Sequence, residues 1–331
     1  MNRRAQAAMI AFIGALTGTL ALSRAAAQEP DASTFPNRPI HIVVPFPAGG
    51  PSDLVSRLIG QKMTEAWGQP VIIDNRPGAN TIIGAQAVAR AAPDGYTLLM
   101  AIDSTLVMNQ FMHKSLPYDP FNDFAPITLT TKTVSVLAVR ADGPRTVAEL
   151  IARARKYPGK LNFGGGTLTA QLMGHLFHKA ASLDIVYVPF KGTPETTQGL
   201  LSGSVDLVYA STVIAVPLIE SGQVRALARL DRRVVPAVAD VPLLADAAGL
   251  KEFDDLAVWL GLVAPRGTPM PIIDKLNREV ARILNDPVIK RKSEATGGYI
   301  ETSSPAEFAA FMRNEAQRWG KALAELGLRY D

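Results

Sequence analysis

One local pattern recurs along this chain of 331 residues and leaves few folds open to it. A short apolar run meets a break rich in Gly, Pro, Ser or Thr, and a helical periodicity follows. Residues 40–46 (IHIVVPF) read as a buried strand. Residues 47–53 (PAGGPSD) interrupt it, and Leu54, Leu58, Ile59 and Met63 then fall on one helical face. Pro51 suits the first helical turn, where its missing N–H costs nothing, and Asp53 suits the positive end of the helix dipole. Strand-like runs follow at 71–74, 97–102, 134–139, 160–163, 185–190 and 205–209. Helices are expected over 81–91, over 146–156 with Thr146 as N-cap, over 168–181, and after Pro194. This alternation predicts parallel sheets with helices on both faces. Ligands of such sheets bind beyond the carboxyl ends of the strands, where the breaks lie.

At roughly 150 residues per domain the length suggests about two domains. The strands form two groups, so two α/β lobes are expected. Residues 258–264 are apolar and strand-like, and 271–285 and 305–326 read as long amphipathic helices. The chain is expected to cross to a second lobe near 132–140 and to return near 255–264. The first lobe is then discontinuous, 34–131 plus 256–331, and the second is 132–255.

Residues 1–27 read as a cleavable secretory signal peptide, with Arg3 and Arg4, an apolar run over 7–22, and Ala25-Ala26-Ala27 before Gln28. The run is short for a membrane span of about 20 residues. Its removal takes away Arg3, Arg4 and Arg24 and no acid, which lowers the net charge from +4 to +1. That balance gives no case for nucleic-acid binding. The chain has no Cys, so disulfides, a thiol nucleophile, Cys-ligated metals and a lipoprotein anchor are excluded. A soluble exported monomer without cofactor or metal is expected.

The loop Phe46-Pro47-Ala48-Gly49-Gly50-Pro51-Ser52-Asp53 is the strongest local signal. Its glycines allow close backbone approach, and a helix N-terminus with free N–H groups follows, an environment for a carboxylate or phosphate. The alternative is a tight strand–helix turn with no ligand. It is neither a P-loop nor a dinucleotide fingerprint. Gly164-Gly165-Gly166-Thr167 offers the same physics from the other half, or a simple connection with Thr167 as N-cap. Ser104-Thr105 and Lys191-Gly192-Thr193 are individually weaker. His175 and His178 share a helical face at i, i+3, with no nearby carboxylate pattern to complete a metal site. No GxSxG, HExxH or SxxK pattern is present.

At this level the chain resembles the periplasmic solute receptors of tripartite tricarboxylate transporters, also called Bug-type receptors. The matching stretches are 39–53 (PIHIVVPFPAGGPSD), 68–71 (GQPV), 75–79 (NRPGA), 92–98 (APDGYTL), 116–120 (LPYDP) and 123–124 (DF). Further on come 158–161 (PGKL), 188–192 (VPFKG) and 259–265 (WLGLVAP). The resemblance implies a two-lobed type II periplasmic binding fold that closes on a small organic acid and delivers it to membrane permease subunits. It implies first-lobe contacts from Phe46, Ala48, Gly49, Gly50, Ser52, Asp53, Ser104 and Thr105. Second-lobe contacts would come from Gly164, Gly165, Gly166, Thr167, Gly192, Thr193 and Asp206. The chain departs from the family after Phe163, where the loop is about two residues shorter and Gln171 stands where His is common. A sensing receptor for a membrane signalling partner is the main alternative; a secreted α/β enzyme lacks a nucleophile–base pattern.

Overall fold

The computed structural model describes residues 33–249 and 256–327, and the expected leader at 1–27 lies outside the described residues. Two sheets organise the chain. The first contains β1 (Ile40–Val44), β2 (Val71–Asn75), β3 (Thr97–Ile102), β4 (Phe124–Thr133), β10 (Val258–Pro265) and β11 (Gly298–Ile300), in the order β11-β4-β10-β3-β1-β2. The second contains β5 (Ser135–Arg140), β6 (Leu161–Gly165), β7 (Ile185–Pro189), β8 (Leu207–Ser211) and β9 (Val224–Arg229), in the order β7-β6-β8-β5-β9.

Both sheets are mixed rather than mostly parallel. Parallel pairing is confined to β2-β1-β3 and β7-β6-β8, the parts built from βαβ units. The strands that carry the chain from one sheet to the other have no such crossover, and they pair antiparallel. Val134, fully buried, is the single residue between β4 and β5. On the return, Leu256 N–H donates to Leu230 C=O at 3.1 Å, and Val258 then pairs with Thr133. The two crossings therefore run side by side.

The helices are α1 (Pro51–Trp67), α2 (Ile82–Ala89), α3 (Asn109–Met112), α4 (Val147–Lys156), α5 (Leu168–Ala180) and α6 (Thr193–Ser202). After them come α7 (Thr212–Glu220), α8 (Leu244–Ala248), α9 (Met270–Leu284), α10 (Pro287–Ala295) and α11 (Pro305–Leu326). One face of the first sheet packs Ile40, Ile42, Leu98 and Leu262 against Ile59 and Met63 of α1 and Ile272, Leu276 and Val280 of α9. On the other face a single apolar cluster runs from Trp259 and Phe308 through Leu106 and Met108 to Leu168, Met173 and Phe177 of the second lobe. The lobes thus share apolar packing behind the crossings. No helix among the described residues is long and apolar enough to cross a membrane.

Candidate functional site

The β1–α1 loop is shaped by a buried carboxylate. Asp53 accepts hydrogen bonds from Gly49 N–H at 2.9 Å, Arg57 Nε at 2.9 Å and Asn75 Nδ2 at 3.0 Å. Asn75 Nδ2 also donates to Phe46 C=O at 3.0 Å, so β2 anchors both ends of the turn. Burial alone would raise the Asp53 pKa. The hydrogen bonds from Arg57, Gly49 and Asn75, with the Arg57 charge, more than offset it and hold the carboxyl below the usual carboxylate range. Gly49 needs its glycine because its φ is +87°, in the left-handed region. Replacing Asp53 by Ala is expected to cost about 2 kcal/mol of stability, since the Gly49 N–H loses its charged acceptor. It is also expected to weaken ligand binding at least 10-fold through disorder of the loop. Urea unfolding and titration calorimetry on Asp53→Ala check this; an unchanged affinity would confine Asp53 to stability.

The first bond of α1 runs from Leu54 N–H to Gly50 C=O, which leaves the Ser52 and Asp53 N–H groups outside the helix ladder. Two further helix starts face the same space from the second lobe. Thr167 caps α5 by accepting from Ala170 N–H at 3.1 Å. At α6, Thr196 bonds Gly192 C=O through both its N–H and its hydroxyl, which leaves the Thr193 and Glu195 N–H groups outside the ladder. Gly166 lets these two second-lobe loops touch: a Cβ there would lie 2.3 Å from the Gly192 carbonyl carbon. Across the cleft, a Cβ on Gly192 would lie 3.0 Å from Pro47 Cδ, and one on Gly49 would lie 3.8 Å from Pro194 Cγ. The two lobes meet at these loops, in a closed arrangement.

The enclosed cleft is lined on the first lobe by Phe46, Pro47, Gly50, Pro51, Ser52 and Ile102. Thr133, Ser135, Val258 and Leu260 come from the crossing strands. The second lobe supplies Gly166, Thr167, Ala170 and Met173, then Thr193, Pro194, Thr196 and Thr197, and Val208 to Ser211 of β8. None of these is Asp, Glu, Lys, Arg or His. Three positive helix ends converge on a space without a charged side chain among the described residues, which is the electrostatics of an anion site.

The expected residues divide accordingly. Phe46, Gly50, Ser52, Gly166, Thr167 and Thr193 line the cleft. Ala48 and Gly49 belong to the loop, and Gly192 closes its mouth against Pro47, but none of the three is in the lining. Asp53 holds the loop from behind. Gly164 and Gly165 lie in β6, packed under Phe190 and Tyr187. Asp206 is outside, accepting from Asn162 N–H at 2.8 Å. Ser104 and Thr105 also lie away from the cleft. The chain after β3 enters a π-helical turn, Ser104–Met108, rather than an open loop. Thr105 Oγ1 there donates to Thr81 Oγ1 at 2.8 Å, and Tyr118 Oη donates to Thr105 C=O at 2.7 Å.

Ser135, Val208, Tyr209, Val258 and Leu260 carried no sequence signal of ligand contact, because they read as ordinary strand residues, and Thr133 fell in no expected strand. Tyr209 is one of them. Its hydroxyl meets His178 Nε2 at 3.1 Å, and burial with the neighbouring His175 lowers the His178 pKa to about 3, so that imidazole stays neutral. No group of three or more His, Cys, Asp or Glu among the described residues is arranged to hold a metal ion. One more polar contact joins the lobes. Thr169 Oγ1 of α5 donates to Asp103 Oδ1, just after β3, at 2.6 Å. Asp103 is fully buried and its Oδ2 has no hydrogen-bond partner among the described residues; burial pushes its pKa up to about 7, against the hydrogen bonds from Thr169 and Ser104 N–H.

Two α/β lobes closed over a cleft ringed by helix N-termini define a solute-binding protein of the periplasmic receptor class. Residues 55–328 match the family model of the tripartite tricarboxylate transporter family receptor, and this chain belongs to that family. It is 31% identical to Protein BugT of Bordetella pertussis, over 97% of this chain and 98% of that one. Among solved structures it is similar to R. palustris Rpa4515 with adipate, at TM-score 0.85 and 32% identity, covering 89% of this chain and 99% of that one. It is likewise similar to MatC (Rpa3494) from Rhodopseudomonas palustris with bound malate, at TM-score 0.81 and 34% identity, covering 87% and 100%.

Proposed function

We propose that this protein is a Bug-type periplasmic receptor that captures a small carboxylate between its lobes and hands it to the membrane permease of a tripartite transporter. The observation that carries this reading is the convergence of the α1, α5 and α6 N-termini on one cleft lined by no charged side chain. A carboxylate there accepts from the Ser52 and Asp53 N–H groups on one lobe and from the Thr193 N–H on the other. Hydrogen bonds to an ionised acceptor contribute about 1.5–3 kcal/mol each. Because donors come from both lobes, only the closed form makes the full set, and ligand shifts the population toward it. We place the hinge at 133–135 and 256–258, with lobes 34–131 plus 256–331 and 132–255, and residues 1–27 removed on export. The adipate and malate in the two related structures agree with the ligand class.

A thermal-shift screen of carboxylates, sugars and amino alcohols on the purified exported protein tests the reading. A ligand at 100 times its Kd stabilises by about 2.7 kcal/mol, which for a protein of this size moves Tm by roughly 5–10 °C. Stabilisation by a sugar and by none of the acids would refute the carboxylate. Small-angle scattering of the ligand-free and saturated protein tests closure, with compaction expected. Transport is read as uptake of labelled ligand, lost without the permease while binding to the purified receptor persists.

A further inference from the structure

We infer that the ligand carries one carboxylate on an apolar body, as an aromatic or short aliphatic monocarboxylic acid does, and that the cleft rejects a second negative charge at its hinge end. This rests on the carboxylate-receptor reading and narrows it. The two ends of the cleft differ in kind. At the loop end lie the helix N-termini, and the Ser52 and Thr193 hydroxyls there make no hydrogen bond within the protein among the described residues. At the hinge end the walls are Ile102, Met173, Val208, Val258 and Leu260. Ile102 and Leu260 are paired neighbours on β3 and β10, so the apolar wall is continuous across the sheet.

The strand N–H groups at that end are committed to their ladders, and at the start of α7, which borders it through Ser211, Thr212 N–H donates to Val134 C=O and Val213 N–H to Ser211 Oγ. Tyr209 presents a ring, since its hydroxyl is held by His178. Thr133, Ser135 and Ser211 bring neutral hydroxyls to that end, able to meet a hydroxyl or carbonyl of a ligand but not to balance a charge. Arg57, near the loop, is tied to Asp53 and Asn75 and does not line the cleft. A second carboxylate pressed against this wall would be desolvated without a cation or an N–H donor, which is strongly unfavourable.

Matched acids isolate that single charge. Hexanoate and adipate differ at one terminal group, as do benzoate and terephthalate. Calorimetry on the wild-type protein is expected to show at least one of these monoacids binding 100-fold or more tighter than its diacid. A diacid binding as tightly as its monoacid, or more tightly, would overturn the inference and leave the carboxylate reading intact. Hexanol or benzyl alcohol binding as well as the acids, or no binding by any of the four acids, would remove the carboxylate reading and the inference together. Met173→Lys supplies the missing cation and is expected to reverse the preference toward the diacid. If the folded variant leaves the preference unchanged, the apolar wall is not what excludes the second charge. If that variant does not fold, the wild-type matched pairs still decide.

Discussion

Valine in place of Gly50 is expected to weaken carboxylate binding about 100-fold while lowering Tm by only a few degrees. The backbone at Gly50 has φ −84° and ψ 170°, which any residue adopts, so the turn itself is not strained. A Cβ there would lie 3.9 Å from Pro47 C=O and 4.0 Å from Pro194 Cδ, and the methyls beyond it must enter the space where ligand meets the α1 N-terminus. Loss of two charge-assisted hydrogen bonds, about 3 kcal/mol together, corresponds to roughly 100-fold in Kd. The poorer N-cap costs about 1 kcal/mol. Arg76→Ala is the contrast. Arg76 pairs with Asp74 at 2.6 Å, is half-exposed and does not line the cleft, so affinity should stay within twofold of wild type. Calorimetry on both variants separates a backbone grip from a cationic one: a tight-binding Gly50→Val beside a dead Arg76→Ala would reverse the assignment.

Asp103 should make the protein less stable as pH rises from about 4 to 7. Its carboxyl titrates near 7 when folded, against an ordinary value of 3.8. Below 3.8 both states are protonated and nothing is lost. Between the two values the unfolded chain ionises while the folded chain does not, which favours unfolding. By pH 7 the loss amounts to about 4 kcal/mol, from 1.36 kcal/mol per unit over roughly three units. Asp103→Asn keeps an acceptor for Thr169 and Ser104 and removes the ionisation, at the cost of an amide N–H₂ without an acceptor, about 1–3 kcal/mol. The variant should therefore melt below wild type at pH 4.5 and above it at pH 8. Melting curves that stay parallel across that range would show that Asp103 does not titrate in this way.

The β1–α1 unit was legible in the sequence because local chemistry specifies it: an apolar run, two glycines, then Pro51 and Asp53 at a helix start. The second-lobe turn at Gly166-Thr167 was legible for the same reason. Strand β4 was not. Its sequence FAPITLTTKT carries four threonines and a lysine in no apolar alternation, yet Thr128, Thr130, Thr131 and Thr133 are all buried. Thr128 Oγ1 donates to Ser303 C=O and Thr130 Oγ1 to Leu260 C=O, so partners distant in sequence make the polar run fit a sheet interior. Asp53 shows a related limit. A helix-start acid can face a ligand or fold its own loop, and the choice is made by Asn75 and Arg57, which local pattern does not reveal. Ser104 and Thr105 follow a strand as a binding loop would, but the π turn carries them inward.

The placement of β10 between β3 and β4 also fixes the order in which the molecule can assemble as it emerges N-terminus first. Strands β5 to β9 are contiguous in the chain and need nothing that comes later to pair with one another. The first sheet does: β4 is complete at Thr133, while its neighbour begins only at Val258. At 5–20 residues per second, the facing edges of β3 and β4 wait on the order of 10 s for the strand that fills the gap. Unpaired apolar edges invite association with other chains. The second lobe can therefore close its sheet while the first still holds an open slot, and that slot is where a chaperone has most to protect.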